Sequence, residues 1–211
     1  MAGYHTGEIP LVQDVIGHLR PAMLCLADRN FFSFDLWQQA RATGADLLWR
    51  VKKNLKLPRE RPWPDGSFLS RIYPSERDRR KKTHGVVVRV IEYALEGVAD
   101  AEPLYRLITT VPDPGEVSAR ELAALYHERW EIENTLDELK TPLRGARIIL
   151  RSKTPELVRQ EFYGFLLAHF ALRGLMHEAA LKADIDPDRL SFLHAVRVVR
   201  GKLPHFVALS P

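Results

Sequence analysis

Four side chains able to bind or move charge, Tyr126, Arg129, Glu133 and Lys140, follow one another at intervals of three, four and seven residues. In a continuous α-helix, at about 100° per residue, they fall within an arc of roughly 60° and share one face. Leu125, Ile132, Leu136 and Leu139 occupy an adjacent arc centred roughly 80° away, so an apolar stripe can bury while the polar stripe lines a cleft beside it. One carboxylate flanked by a phenol, a guanidinium fork and an ammonium suits a site that holds a divalent cation and grips phosphates. The same stretch also carries Glu128, Glu131, Asp137 and Glu138. Charged residues on a long helix are usually its solvated face, and composition by itself favours that plainer reading. Trp130 lies about 40° away, at the far edge of the polar arc, where it suits packing as well as stacking on a base.

The helix that must carry these residues opens at Ser118, whose S-x-x-E spacing to Glu121 forms a capping box, and it is terminated by Pro142. Upstream, apolar residues at Leu11, Val12, Val15, Ile16 and Leu19 predict an amphipathic helix closed by Pro21. Ala22 to Ala27 is a short apolar run of the kind buried on both faces of a parallel sheet, with Asp28 at its C-terminal end. Ser33 caps a helix that Gly44 stops, and Asp46 to Val51 reads as a second strand, giving one strand–helix–strand unit. Gly85 to Leu95 and Pro103 to Thr110 are rich in β-formers and read as a strand pair. Thr154, Pro155 and Glu156 start a helix reaching about Ala183 that is apolar on most sides, as buried helices are, so His169 and His177 read as core or boundary residues rather than ligands. A shorter helix over Asp188 to Arg200 follows.

Between Arg50 and Lys82 stand twelve Lys or Arg against four Asp or Glu, whereas the whole chain of 211 residues has a net charge of only +4. Four prolines, Pro58, Pro62, Pro64 and Pro74, exclude long regular elements there, and the segment reads either as a polyanion-binding insertion or as a solvated basic loop. Another basic stretch, Arg144, Arg147, Arg151 and Lys153, follows the glutamate helix. A lone cysteine, Cys25, within MLCLA, excludes a disulfide framework and a cysteine zinc site and suits a small core residue. No uncharged apolar run is long enough to span a bilayer and the N-terminus has no signal-peptide pattern, so the expectation is a cytoplasmic protein that avoids membranes.

The pattern Tyr126-x-x-Arg129-x-x-x-Glu133-x-x-x-x-x-x-Lys140 resembles the Y-R-E-K signature of one large group of bacterial insertion-sequence DDE transposases. LADRNFFSFDLW around Asp28 looks like that group's second-aspartate motif, and LRSKTPELVRQEFYGFLLAHFALRGLM and LSFLHAVRVVR look like its C-terminal helices. The likeness covers nearly the whole chain. It implies an α/β, RNase H-like catalytic core, incomplete at its N-terminus, in which 1–52 is core, 53–112 a β-rich basic insertion, 118–141 the glutamate helix and 154–200 C-terminal helices.

Carried over position by position, the resemblance makes Asp28 and Glu133 catalytic carboxylates that, with a further aspartate, hold two Mg²⁺ or Mn²⁺ ions for in-line attack on a DNA phosphodiester. Tyr126, Arg129 and Lys140 match residues that grip the transposon-end strand. The family's first aspartate lies several tens of residues before the second. Asp14, the only aspartate ahead of Asp28, falls in the predicted first helix and is not a substitute. The expectation is therefore an N-terminally truncated chain, with partners among DNA, itself and full-length transposase, and with its own cleavage activity lost. A non-catalytic DNA-binding or transposase-inhibiting protein and a hydrolytic nuclease on the same fold are the competing readings.

Overall fold

The computed structural model describes residues 7–95, 102–140 and 152–206. The chain divides into two compact units, Ala2–Arg129 and Trp130–Pro211.

The first unit is built on one mixed sheet. Strand β1 (Leu24–Ala27) is followed by helix α2 (Phe34–Ala42) and strand β2 (Asp46–Arg50), the predicted strand–helix–strand unit; helix α1 (Glu8–Ile16) precedes it. β1 and β2 are parallel, with Leu24 beside Asp46 and Ala27 beside Trp49. The Ser33 hydroxyl accepts from the Leu36 N–H and so caps α2 as its sequence requires. β1 departs from expectation in its burial: Leu24 is exposed and Cys25, Leu26 and Ala27 are half-buried, not covered on both faces. Only β2 flanks it among the described strands, which leaves its outer side unpaired there.

The strands assigned to the basic insertion extend the same sheet. β3 (Arg61–Pro62), β4 (Phe68–Ile72), β5 (Val86–Tyr93) and β6 (Tyr105–Thr109) complete the order β1-β2-β6-β5-β4-β3, with β6 antiparallel to both β2 and β5. A short helix α3 (Glu76–Lys81) lies between β4 and β5. The prolines do keep β3 and α3 short, but β4 occupies the sheet interior with Phe68, Ser70 and Ile72 buried. Its sequence signals are the Asp65-Gly66 turn, where Gly66 takes φ of 84°, and the alternating run that follows it.

Alternation along the strands separates two cores. Leu47, Trp49, Val90 and Ile108 face α2, whose Trp37 meets Trp49 edge-on at 5.3 Å. Leu48, Ile91 and Leu107 face the other way, onto helix α4 (Ala119–His127) through Ala119, Leu122 and Tyr126. The latter three sit at spacings of three and four residues, one stripe of one helix.

The expected single helix from Ser118 to Lys140 is interrupted. α4 ends at His127, and α5 (Trp130–Glu138) starts only after a turn at Glu128 and Arg129. The last turn tightens to i→i−3 bonds, Glu128 N–H to Leu125 and Arg129 N–H to Tyr126. Neither Pro nor Gly stands there, and the apolar spacing continues across the break, so the sequence pattern carries no sign of it.

In the second unit, α6 (Pro155–Ala183) is capped by Thr154, and α7 (Phe192–Phe206) follows a 3₁₀ turn at Pro187–Arg189, extending past the expected end at Arg200. Leu172 and Met176 pack with Phe192 and Val196. The buried character expected of α6 is not found: Phe170 is 79% exposed and Leu167 70%. His169 is a boundary residue hydrogen-bonded to Glu138, and His177 is exposed. Among the described residues, no helix is long and apolar enough to cross a membrane. Pro142 and the basic residues Arg144, Arg147 and Arg151 lie outside the described residues.

Candidate functional site

Asp28 follows directly on β1, where the strand ends and the chain turns: its backbone carbonyl accepts from Phe31 N–H at 3.0 Å and its Oδ1 accepts from Arg29 N–H at 2.7 Å. The side chain is half-buried at the C-terminal edge of the parallel pair, the end at which open α/β sheets commonly carry their ligands.

Tyr126 reaches the same place from α4. Its ring is buried, 4% exposed, and its hydroxyl donates to the carbonyl of Ala27 at 3.3 Å, one residue from Asp28. Burial pushes the phenol up to about 12; the Asp28 charge acts in the same direction, whereas Arg129 and Arg50 oppose it. The phenol is therefore a neutral donor at ordinary pH, held against a carboxylate and two guanidinium groups. The Arg129 guanidinium lies 5.7 Å from the centre of the Tyr126 ring. Three of the predicted site residues, Asp28, Tyr126 and Arg129, are thus brought together within the first unit.

Glu133 and Lys140 belong to the second unit. Glu133 is half-buried on α5, and Lys140 is exposed beyond the last residue of that helix. The shared arc expected for Tyr126, Arg129, Glu133 and Lys140 presumed an unbroken helix, and the turn at Glu128 and Arg129 removes that premise. Asp14 is exposed on α1.

Cations around Glu102 were not singled out from the sequence. Arg29, Arg50 and Lys53 pair with this one carboxylate at 2.8, 2.6 and 3.4 Å, and the hydrogen bond from Arg50 leads in holding the Glu102 carboxyl below the usual range. Arg50 also stacks over the Tyr105 ring at 4.5 Å. The basic segment is balanced in the same manner elsewhere. Arg59 and Arg106 share Glu92, Arg71 pairs with Glu60, and Lys56, Arg79 and Arg80 surround Glu76. Glu92 and Glu102 lie outside the counted segment and offset part of its excess, which only the fold could reveal, whereas Glu60 and Glu76 lie within it. Arg77, Lys81 and Lys82 form no ion pair among the described residues and give the α3 region its exposed positive charge.

A sheet edge that presents an aspartate beside a buried phenol and several guanidinium groups is suited to holding a phosphodiester near a carboxylate. Metal chemistry asks for more: among the described residues no three His, Cys, Asp or Glu side chains are placed to share an ion.

Residues 4–171 match the family model described as the transposase DDE domain. The chain is also similar to the transposase InsG for insertion sequence element IS4 of Escherichia coli (strain K12), at 29% identity over 211 residues, covering 97% of this chain and 46% of the relative. It thus spans about half the length of the curated relative it matches. With a match over most of its residues, this chain belongs to the transposase DDE domain family.

Proposed function

We propose that this chain is the part of an insertion-sequence transposase catalytic domain that carries the second and third carboxylates, Asp28 and Glu133, on an RNase H-like core. The single observation that carries this reading is the convergence of Tyr126, Arg129 and Asp28 at the end of β1, two of them signature residues and the third the proposed metal-binding aspartate. Tyr126 and Arg129 hold the transposon-end strand, with Lys140 adding a further phosphate contact. Bound metal ions, Mg²⁺ or Mn²⁺, supply the activation of the attacking hydroxyl and the stabilisation of the leaving oxygen in DNA strand cleavage and transfer. This chain would contribute Asp28 and Glu133 to holding them. Its described residues fall short of a complete two-metal set.

Cleavage by the isolated chain is accordingly expected to be absent. Purified protein is incubated with supercoiled plasmid and Mg²⁺ or Mn²⁺, alongside Asp28→Ala and Glu133→Ala. No nicking by any of them, from protein shown to unfold cooperatively, is the expected result. Metal-dependent nicking that both variants abolish would mean that the chain is active on its own and would overturn this part of the reading.

A non-catalytic role, binding DNA or titrating full-length transposase, is favoured by one observation, the exposed charge of Arg77, Lys81 and Lys82 on and after α3. DNA affinity that falls steeply with salt, ignores Mg²⁺ and depends on these three rather than on Arg129 distinguishes that reading.

A further inference from the structure

Arg89, in the middle of β5, is fully buried, an unusual place for a guanidinium unless every donor is used. It forms an ion pair with Asp65 Oδ2 at 2.6 Å, donates to the Ser67 hydroxyl at 2.9 Å, and donates to the backbone carbonyls of Val117 at 2.8 Å and Asp113 at 3.4 Å. Asp65 in turn accepts from the Ala119 N–H at 2.8 Å. The two partners therefore hold the backbone on either side of Ser118, the residue that caps α4. A carboxylate at a helix N-terminus also opposes the positive end of the helix dipole. Burial disfavours the Asp65 charge, but the Ser67 hydroxyl, the Ala119 and Ser67 N–H groups and Arg89 together bring its pKa below the ordinary carboxylate value.

The pair is one of several supports at the start of α4. Its own capping box, Ser118 with Glu121, satisfies the Glu121 and Ser118 N–H groups, Asp65 takes the Ala119 N–H, and Leu122 and Tyr126 bury its face. The Arg89–Asp65 pair adds an absolute position. An amphipathic stripe on a sheet fixes which face of a helix is buried more firmly than it fixes where along its axis the helix sits, and a slip of one turn moves a side chain by about 5.4 Å. Ala119 and Tyr126 stand on one stripe, two turns apart, so holding the first sets the reach of the second toward Ala27 and Asp28.

We propose that Arg89 and Asp65 are positioning residues, a buried pair in the β-rich segment that sets the axial register of α4 and thereby places the Tyr126 hydroxyl at the end of β1. The functional part of this inference rests on Tyr126 belonging to the DNA-gripping site proposed above, whereas the positioning itself does not.

Asp65→Ala alone strands a buried guanidinium and Arg89→Met alone strands a carboxylate, so either single variant risks losing the fold. The informative protein is the double variant Arg89→Met/Asp65→Ala, because a buried ion pair replaced as a unit is often neutral for stability. The full chain is labelled with fluorotyrosine, Tyr126 is assigned by the signal lost in Tyr126→Phe, and the ¹⁹F spectrum is titrated with base while DNA affinity is measured on plasmid fragments. The double variant is expected to unfold cooperatively, to shift the Tyr126 resonance and lower its titration midpoint below that of the identically labelled wild type, because the hydroxyl is less buried, and to leave the Tyr73 and Tyr163 resonances in place. Its DNA affinity should fall as far as that of Tyr126→Phe. A folded double variant whose Tyr126 resonance and midpoint match the wild type overturns the positioning role. Loss of cooperative unfolding in the double variant also counts against it, since the pair would then be a determinant of the fold and not of alignment. If Tyr126 moves but Tyr126→Phe leaves DNA affinity unchanged, positioning stands and the DNA-gripping assignment of Tyr126 fails.

Discussion

The two units of this chain solve the burial problem to different extents. In the first, α2 and α4 pack on opposite faces of the sheet interior, and Trp37, Leu47, Leu48, Val90, Leu107 and Ile108 are fully enclosed. In the second, α6 buries Leu172, Met176 and Ala180 against few partners and leaves Leu167, Phe170 and Leu181 more than two-thirds exposed. A site needs side chains whose rotamers are held by their surroundings. Preorganisation therefore resides with Tyr126, held in a closed core beside the end of β1, while Glu133 stands on α5, which has no buried residue among those described, and Lys140 is exposed.

Substitutions can sharpen that contrast or break it. Trp49→Ala, which empties the centre of one core, is expected to cost about 3–5 kcal/mol of unfolding free energy by chemical denaturation. A loss below about 1 kcal/mol would show that the sheet core is loosely packed and the contrast unfounded. Ser118→Ala removes one side of the α4 capping box and should cost about 1 kcal/mol in the same assay. On the other unit, Phe170→Ser should change stability by no more than about 0.5 kcal/mol while reducing binding of a hydrophobic dye. A large destabilisation there would mean that Phe170 is enclosed in solution.

The smallest effect is confined to acid. The folded pKa of Asp65 is lowered from its ordinary value of 3.8, burial being outweighed by its hydrogen bonds and Arg89. Its stabilising contribution is complete above 3.8 and is lost as pH falls through the lowered folded value. The double variant Arg89→Met/Asp65→Ala, which strands neither partner, should therefore flatten the acid limb of stability against pH, read from thermal midpoints between pH 5 and pH 2. An unchanged acid limb would remove Asp65 from the set of groups that couple the fold to protons.

Much of the first unit was legible because its signals are local. Ser33 and Gly44 bracket α2, Ser118 and Glu121 open α4, and the β-rich runs around Val90 and Ile108 give β5 and β6. Asp28 could be placed at a strand end for the same reason. What escaped depends on long-range or subtle terms. β4 was hidden by the prolines around it although Asp65-Gly66 and the alternation of Phe68, Ser70 and Ile72 announce it. The break at Glu128 and Arg129 has no Pro or Gly to mark it, and a spacing argument that treats Tyr126 to Lys140 as one helix passes over it. The neutralisation of Arg50 and Lys53 by Glu102, and of Arg59 and Arg106 by Glu92, joins residues 14 to 52 positions apart and is invisible to a count of charge along the chain. The exposure of α6 was missed because an apolar composition states a preference for burial and does not supply the partner.

The end of β1, with Asp28, Tyr126 and Arg129, is proposed as a place where DNA is held. Its most direct test is the affinity of the purified chain for labelled duplex DNA over a range of salt, compared with Arg129→Ala and Tyr126→Phe. The expected result is affinity that falls steeply with salt, a marked further loss in Arg129→Ala with a shallower salt slope, and a smaller loss in Tyr126→Phe. Affinity identical in all three proteins, or no affinity in any at low salt, would contradict it.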